Sequence, residues 1–337
     1  MSATRPSAPR TYNQAHLRRS RTPGRRRISI YWTWSYPWES NRDVSHLDDR
    51  FSTMTEVRRV AWPAYEGPEW SHDAFLQGIA GTLELFHRST LDFQRVAEEA
   101  TGHPVAVYQR VDQAGFLHPI DEQLLEDTDT LLVFGLDHLP SRQHVAPAEI
   151  QALQAWLGRE DSCLLVAPHH DVGASDDPEV RQVEYRHHRD PLVPRRQQFG
   201  TSTRDIMKGL GIPVINRWGL RPAVVPGTAD IAPVSARRGV DALGLLKGVD
   251  TFNFHPHLPQ YEVTGGGIEV LARQPVDLAR AHPFMDAGGR EINVLLWMPP
   301  APGRAGHILL ADSTHFTTLF GGTASLARFW HNLATMK

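Results

Sequence analysis

His255-Pro256-His257 is the part of this chain best suited to chemistry. It lies in the stretch TFNFHPHL, which reads as a β-strand running out into a turn. Two histidines at i and i+2 on a strand project to one side, so both imidazoles can meet one ligand or ion. Three related groups follow apolar runs: Asp137 with His138, His169-His170-Asp171, and Asp312 with His315. Neutral imidazoles with carboxylates suit zinc or iron, and such an ion would acidify a bound water. The expected metal ligands are His255, His257, His169, His170 and His315, with Asp171 and Asp312 as catalytic carboxylates. Each has a plainer reading. His255 and His257 could bond only to backbone, Pro256 merely ending the strand. Asp312 could cap the turn after it. His187-His188-x-Asp190 reads as solvated. Gly265-Gly266-Gly267 precedes a strand and lacks the strand–glycine–helix context of a dinucleotide site, so no nucleotide cofactor is expected.

The elements that must position these residues follow from periodicity. Ile28–Tyr36 is a β-branched and aromatic first strand in which Trp32, Trp34 and Tyr36 alternate. Apolar spacing from Trp70 to Ala100 is helical, with a break near Ser89-Thr90 and Gly102 as its stop. Strands are expected at Val105–Arg110, Thr130–Gly135, Ser162–Pro168, Pro213–Trp218, Thr251–Leu258, Gly267–Arg273, Ile292–Met298 and Gly306–Asp312. Helices are expected near Ile120–Glu126, Ala146–Gly158, Thr203–Leu210 and Thr323–Thr335. The strand–helix–strand unit from Thr130 to Pro168 predicts a parallel crossover. The four His/Asp groups then fall at the carboxyl ends of strands, where open parallel sheets bind ligands.

Composition narrows the classes. The 337 residues, 41% of them hydrophobic, can form a large core, and the net charge of -3 argues against bulk nucleic-acid binding. Cys163 stands alone, so no internal disulfide forms; a reducing, cytoplasmic setting fits. No apolar run approaches the roughly 18 residues of a membrane helix. Residues 1–27 hold eight arginines and no acid, which reads as a disordered basic arm and the one candidate contact for nucleic acid. Residues 28–337 read as one α/β domain, with a charged insertion near 171–200.

TLLVFG, EIQALQAWLGREDSCLLVAP, RDIMKGLGIPV and the closing HILLADSTHFTT together resemble the class I glutamine amidotransferase-like superfamily, in its non-amidotransferase branch. The likeness runs from about Val105 to Lys337. It implies a flavodoxin-like fold: an open, mostly parallel sheet with helices on both faces, here carrying long loop insertions. The family's nucleophilic cysteine would follow the strand that ends at Pro168. His169-His170-Asp171 stand there instead, and Cys163 lies at the strand's opposite end, so glutaminase chemistry is not expected. VAPHHDVG also resembles, locally, the zinc motif of PIG-L-type deacetylases. Two functions remain open at this level. One is a metal-assisted hydrolase or lyase acting on a small polar substrate. The other is a non-catalytic binding or scaffolding module, with a protein or small ligand as partner.

Overall fold

The computed structural model describes residues 19–34, 88–111, 116–137, 141–170, 177–180, 182–183 and 199–336. Ile28–Trp34 forms β1, a strand buried along its whole length. Its residues Ile28, Ile30, Trp32 and Trp34 enter one core while Tyr31 enters the other, as the period of two requires. Trp32 and Trp34 stack with ring centres 4.5 Å apart, and Phe134 meets Trp32 edge-on at 4.8 Å. The strand's aromatic residues are therefore packing residues, each contributing about 1.5–3 kcal/mol of burial.

Helix α1 (Leu91–Thr101) ends where Gly102 takes a left-handed conformation, its N–H returning to the Glu98 carbonyl at 2.7 Å. Then come β2 (Ala106–Gln109), α2 (Glu122–Glu126), β3 (Thr130–Leu136), α3 (Pro147–Trp156) and β4 (Cys163–Pro168). Pro147 opens α3, and Glu149 accepts the Ala146 N–H at 3.0 Å while its carboxylate also pairs with buried Arg110 at 2.8 Å. The chain continues through α4 (Thr201–Gly209), β5 (Val214–Leu220), β6 (Ser235–Ala236), β7 (Leu258–Val263), β8 (Glu269–Pro275), α5 (Pro283–Asp286), β9 (Glu291–Met298), β10 (His307–Ala311) and α6 (Thr323–Thr335).

The main sheet has eight strands in the order β2-β1-β3-β4-β10-β9-β8-β6, and β5 pairs with β7 in a separate antiparallel ribbon. β2, β1, β3, β4 and β10 run parallel. From β10 outward through β9, β8 and β6 every pairing is antiparallel. The expected flavodoxin-like, mostly parallel sheet is thus corrected to a mixed one. The physical reason lies in the connections. Only Pro299–Gly306 separates β9 from β10, and a parallel crossover needs about a dozen residues or more. A hairpin is the only return available.

At the amino end of the parallel strands, arginines are built into the fold. Arg27 makes a two-pronged contact with Asp129 at 3.0 and 2.8 Å. Arg159 reaches the same carboxylate at 2.7 Å, and Arg19 pairs with Asp127 at 3.2 Å. Arg26 donates to the Thr130 hydroxyl and to the carbonyls of Asp129 and Asp161. Arg19, Arg26 and Arg27 belong to the stretch read from the sequence as a basic arm, and all three are buried. Residues 1–18 of that arm, most of the 171–200 insertion and the Trp70–His87 part of the expected first helix lie outside the described residues.

Candidate functional site at the carboxyl ends of β4 and β10

β4 and β10 are parallel neighbours, with Leu310 opposite Val166. Their carboxyl ends therefore adjoin, and the residues just beyond them, His169 and His170 after β4 and Asp312 after β10, come together. The third contributor differs from expectation. Residues 251–257 are not a strand; His255 and His257 sit in the turn that leads into β7. Strand alternation thus does not align them. The turn itself is held from both sides. The Asn253 amide donates to the Thr314 carbonyl, the Asn253 side-chain oxygen accepts the His255 N–H at 3.1 Å, and the Phe254 N–H reaches the Phe320 carbonyl at 2.7 Å. Gly219 lies so close to the His257 backbone that an added Cβ would stand 2.7 Å from its carbonyl oxygen. Only glycine lets β5 approach this turn.

The imidazoles of His169, His170, His255 and His257 converge. Ring centres are 4.2 Å apart for His169 and His170, 5.1 Å for His170 and His257, 5.5 Å for His169 and His255, and 5.6 Å for His255 and His257. Phe199 and Phe320 frame them, at 5.7 Å from His169 and 4.7 Å from His255. Asp312, 1% exposed, lies at the centre. One of its oxygens is 3.6 Å from Nδ1 of His169 and the other 3.4 Å from Nδ1 of His255. These are ion-pair distances rather than formed hydrogen bonds, since neither Nδ1 has a hydrogen-bond partner among the described residues. The Thr314 hydroxyl also donates to Asp312.

Burial pushes the Asp312 carboxyl upward, but His169 and His255 outweigh it and hold the group well below the usual carboxylate range. Burial pulls His255 down to about 4, although Asp312 opposes this; His169 and His257 add to the fall. At neutral pH the arrangement is a buried carboxylate facing an uncharged His255 imidazole. Tyr261, fully buried, donates to the Pro168 carbonyl at 3.3 Å, and burial, then Asp312, pushes its phenol upward. Asn216 on β5 donates to the His169 carbonyl at 2.7 Å. Asn216, Asn253, Thr314 and Tyr261 were missed in the sequence. Only Asn253, two residues before His255, carried a local signal.

The other expected residues fall elsewhere. His315 is fully buried, its ring stacked on Phe252 at 4.3 Å and 17°, and burial pulls it down to about 4. It is a core aromatic beside the cluster. Asp137 caps α4, accepting the Ser202 N–H at 3.3 Å and facing the Thr33 hydroxyl at 2.7 Å; burial raises it to about 6. Asp171, His138, His187 and His188 lie outside the described residues. Among the described residues, no group of three or more His, Cys, Asp or Glu side chains is arranged to hold a metal ion. The expectation of a metal-binding group is corrected accordingly for the described residues. His169 and His255 turn Nδ1 onto Asp312, and His315 is packed against Phe252 instead of joining a ligand set.

A surface groove between α1, α6 and residues 241–248 shares no residue with this cluster. Three of its polar side chains are tied to backbone. Arg328 donates to the Gly248 carbonyl, Asn332 to those of Leu245 and Lys247, and Asp241 accepts the Leu245 and Leu246 N–H groups. None of the helices among the described residues is long and apolar enough to cross a membrane.

No family model matches the chain, and no curated protein does. Among solved structures, the N-terminal domain of mmIFT52 is similar at 10% identity, with 89% of this chain and 92% of that chain covered and a TM-score of 0.41. A likeness at that level carries no argument about function. The amidotransferase-like and hydrolase descriptions find no support in these comparisons and are withdrawn.

Proposed function

We propose that the cluster is an acid–base site that moves a proton on a small polar substrate, as a lyase does. The observation that supports this is Asp312: a buried carboxylate flanked by two imidazole Nδ1 atoms, with no lysine or arginine partner among the described residues. Asp129, by contrast, is gripped by a guanidinium, and Asp137 accepts from a hydroxyl and a backbone N–H; neither faces an imidazole. A carboxylate facing Nδ1 fixes the ring's tautomer and orientation and leaves Nε2 with a lone pair on the opposite side. His255 is the base in this reading, and Asp312 stabilises the imidazolium that forms when it accepts a proton. Its depression to about 4 keeps it unprotonated at neutral pH. The cost is weak basicity towards a proton on carbon beside a carbonyl, so the step depends on Asp312 stabilising the imidazolium as it forms.

The test is proton exchange with solvent. Wild type and His255→Gln would be incubated in deuterated water with pools of small hydroxy, keto and amino acids, and loss of carbon-bound proton signals followed by NMR. The expected result is exchange or turnover of one compound, about 10²- to 10⁴-fold slower in the variant. Equal background rates for the two proteins would sink the reading.

A further inference from the structure

Both peptide groups that flank His169 are held by other strands. Its N–H donates to the Gly135 carbonyl on β3 at 3.2 Å, which fixes the peptide joining it to Pro168. The Tyr261 hydroxyl donates to the carbonyl of that same peptide at 3.3 Å. The next peptide, from His169 to His170, is held by the Asn216 amide, which donates to the His169 carbonyl at 2.7 Å. A residue has two soft backbone dihedrals, and both of those of His169 lie between these two peptide planes. Fixing the planes therefore fixes the direction of the Cα–Cβ bond, and only the side-chain torsions remain to place the ring beside Asp312.

Asn216 and Tyr261 are partners across the β5–β7 ribbon. Beyond them the register slips by one. Gly219 pairs with Pro259, so Arg217 and Trp218 stand opposite Gln260 alone, which is a β-bulge. Strict alternation would put Asn216 and Gly219, three positions apart, on opposite faces. The extra residue brings both to the face that meets the cluster, where Asn216 holds the His169 carbonyl and Gly219 admits the His257 backbone. The ribbon is anchored in turn to the main sheet. Asn293 of β9 donates its N–H to the Gln260 side-chain oxygen at 2.9 Å and its amide to the Tyr261 carbonyl at 2.8 Å.

We propose that Asn216 and Tyr261 are positioning residues: together they lock the backbone on either side of His169 and so aim its imidazole at Asp312. This rests on the acid–base reading above, since a proton-transfer site needs its rings held in place before substrate arrives. Both residues are buried, and both donate to backbone carbonyls, so neither acts on a reacting atom.

The experiment uses the full chain with ¹³C-labelled histidine, assigned through His169→Gln and His255→Gln. Ring ¹H–¹³C correlations and ring-to-ring nuclear Overhauser effects are recorded for wild type, Asn216→Leu, Tyr261→Phe and Arg217→Ala, each checked for folding by circular dichroism. Asn216→Leu keeps the size and removes the donor, and Tyr261→Phe removes one hydroxyl. Arg217→Ala disturbs the same ribbon at its pair with Glu262 and leaves both bonds to the carbonyls of Pro168 and His169 intact. Wild type should show the contact between the His169 and His255 rings, whose centres are 5.5 Å apart. Asn216→Leu should displace the His169 resonances and abolish that contact, while the resonances of His103 and His331 stay in place. Tyr261→Phe should displace His169 by less, its bond being the longer. Arg217→Ala should leave His169 unmoved. Wild-type shifts and contacts for His169 in either folded variant, Asn216→Leu or Tyr261→Phe, overturn the proposal, as does an equal displacement by Arg217→Ala. If Asn216→Leu fails to fold, Tyr261→Phe decides alone. If wild type itself lacks the contact between His169 and His255, the cluster does not converge and the acid–base reading falls too. If wild type shows the contact and the variants keep it, only the positioning role falls.

Discussion

The two ends of the parallel strands both bury charge, and they do so in opposite ways. At the amino end Asp129 is gripped by Arg27 and Arg159, and Arg19 and Arg26 spend their donors on carboxylate, hydroxyl and carbonyl oxygens. At the carboxyl end Asp312 has imidazoles for company and no permanent cation among the described residues. A guanidinium stays charged at every working pH and pins its partner, which makes the first arrangement a clasp. An imidazole can give or take a proton, which makes the second a site. The difference separates structural electrostatics from chemical electrostatics within one sheet.

The largest effect expected from breaking this contrast is at the amino end. Asp129→Ala strands two buried or half-buried arginines and should cost about 3–5 kcal/mol in urea unfolding. Acid should weaken the same clasp. Asp129 is held down to about 2, with burial opposing and the Arg27 hydrogen bonds dominating. Its folded value lies below its unfolded one, so its contribution is present above about pH 4 and lost as pH falls through about 2.

Next comes Asp137, the α4 cap, whose sign is reversed. Burial raises it to about 6 from 3.8, so the fold favours its protonated form. Stability from this group is present below about pH 4 and lost as pH rises through about 6. Asp137→Asn reproduces the neutral group, its amide able to face Thr33 and its oxygen to accept from Ser202. It should match wild type near pH 4 and exceed it by about 1–3 kcal/mol at pH 8 in thermal or urea unfolding.

A smaller stability effect than at Asp129 should come from the residue placed at the centre of the chemistry. Asp312→Asn keeps the side chain's size but removes an ionised form that the fold favours, so it should lower stability at neutral pH, by less than Asp129→Ala does, while abolishing turnover. A loss as large as that for Asp129→Ala would reduce Asp312 to another clasp. For the active protein, the acid limb of kcat/KM should fall near pH 4, where His255 takes up its proton and loses its base function.

Much of the parallel half was legible in the sequence because its signals are local. TLLVFG and SCLLVAP are buried strands in register from Thr130 opposite Cys163, and the amphipathic helix between them enforces the crossover. The antiparallel half was legible too, in the eight residues between Met298 and His307, but strand-by-strand reading gives no weight to connection length. At the site, Asp312 and His169 were found for a sound reason, the carboxyl ends of neighbouring strands. His255 and His257 were found through an argument that fails, since residues 251–257 are not a strand and are held by Asn253 and by the absence of a side chain at Gly219. Those contacts link positions far apart in the chain, and no period or motif announces them. The same holds for Arg19, Arg26 and Arg27: composition registers their charge, while their carboxylate and carbonyl partners lie about a hundred residues away.

The most direct test of the account is the protonation of two rings. Long-range ¹H–¹⁵N spectra of histidine-labelled protein at pH 7 distinguish a protonated Nδ1, a protonated Nε2 and a full imidazolium. The account predicts that His169 and His255 both carry their proton on Nδ1, facing Asp312, and that in Asp312→Asn this preference is lost. A proton on Nε2, or a full imidazolium at His255 at that pH, would contradict it.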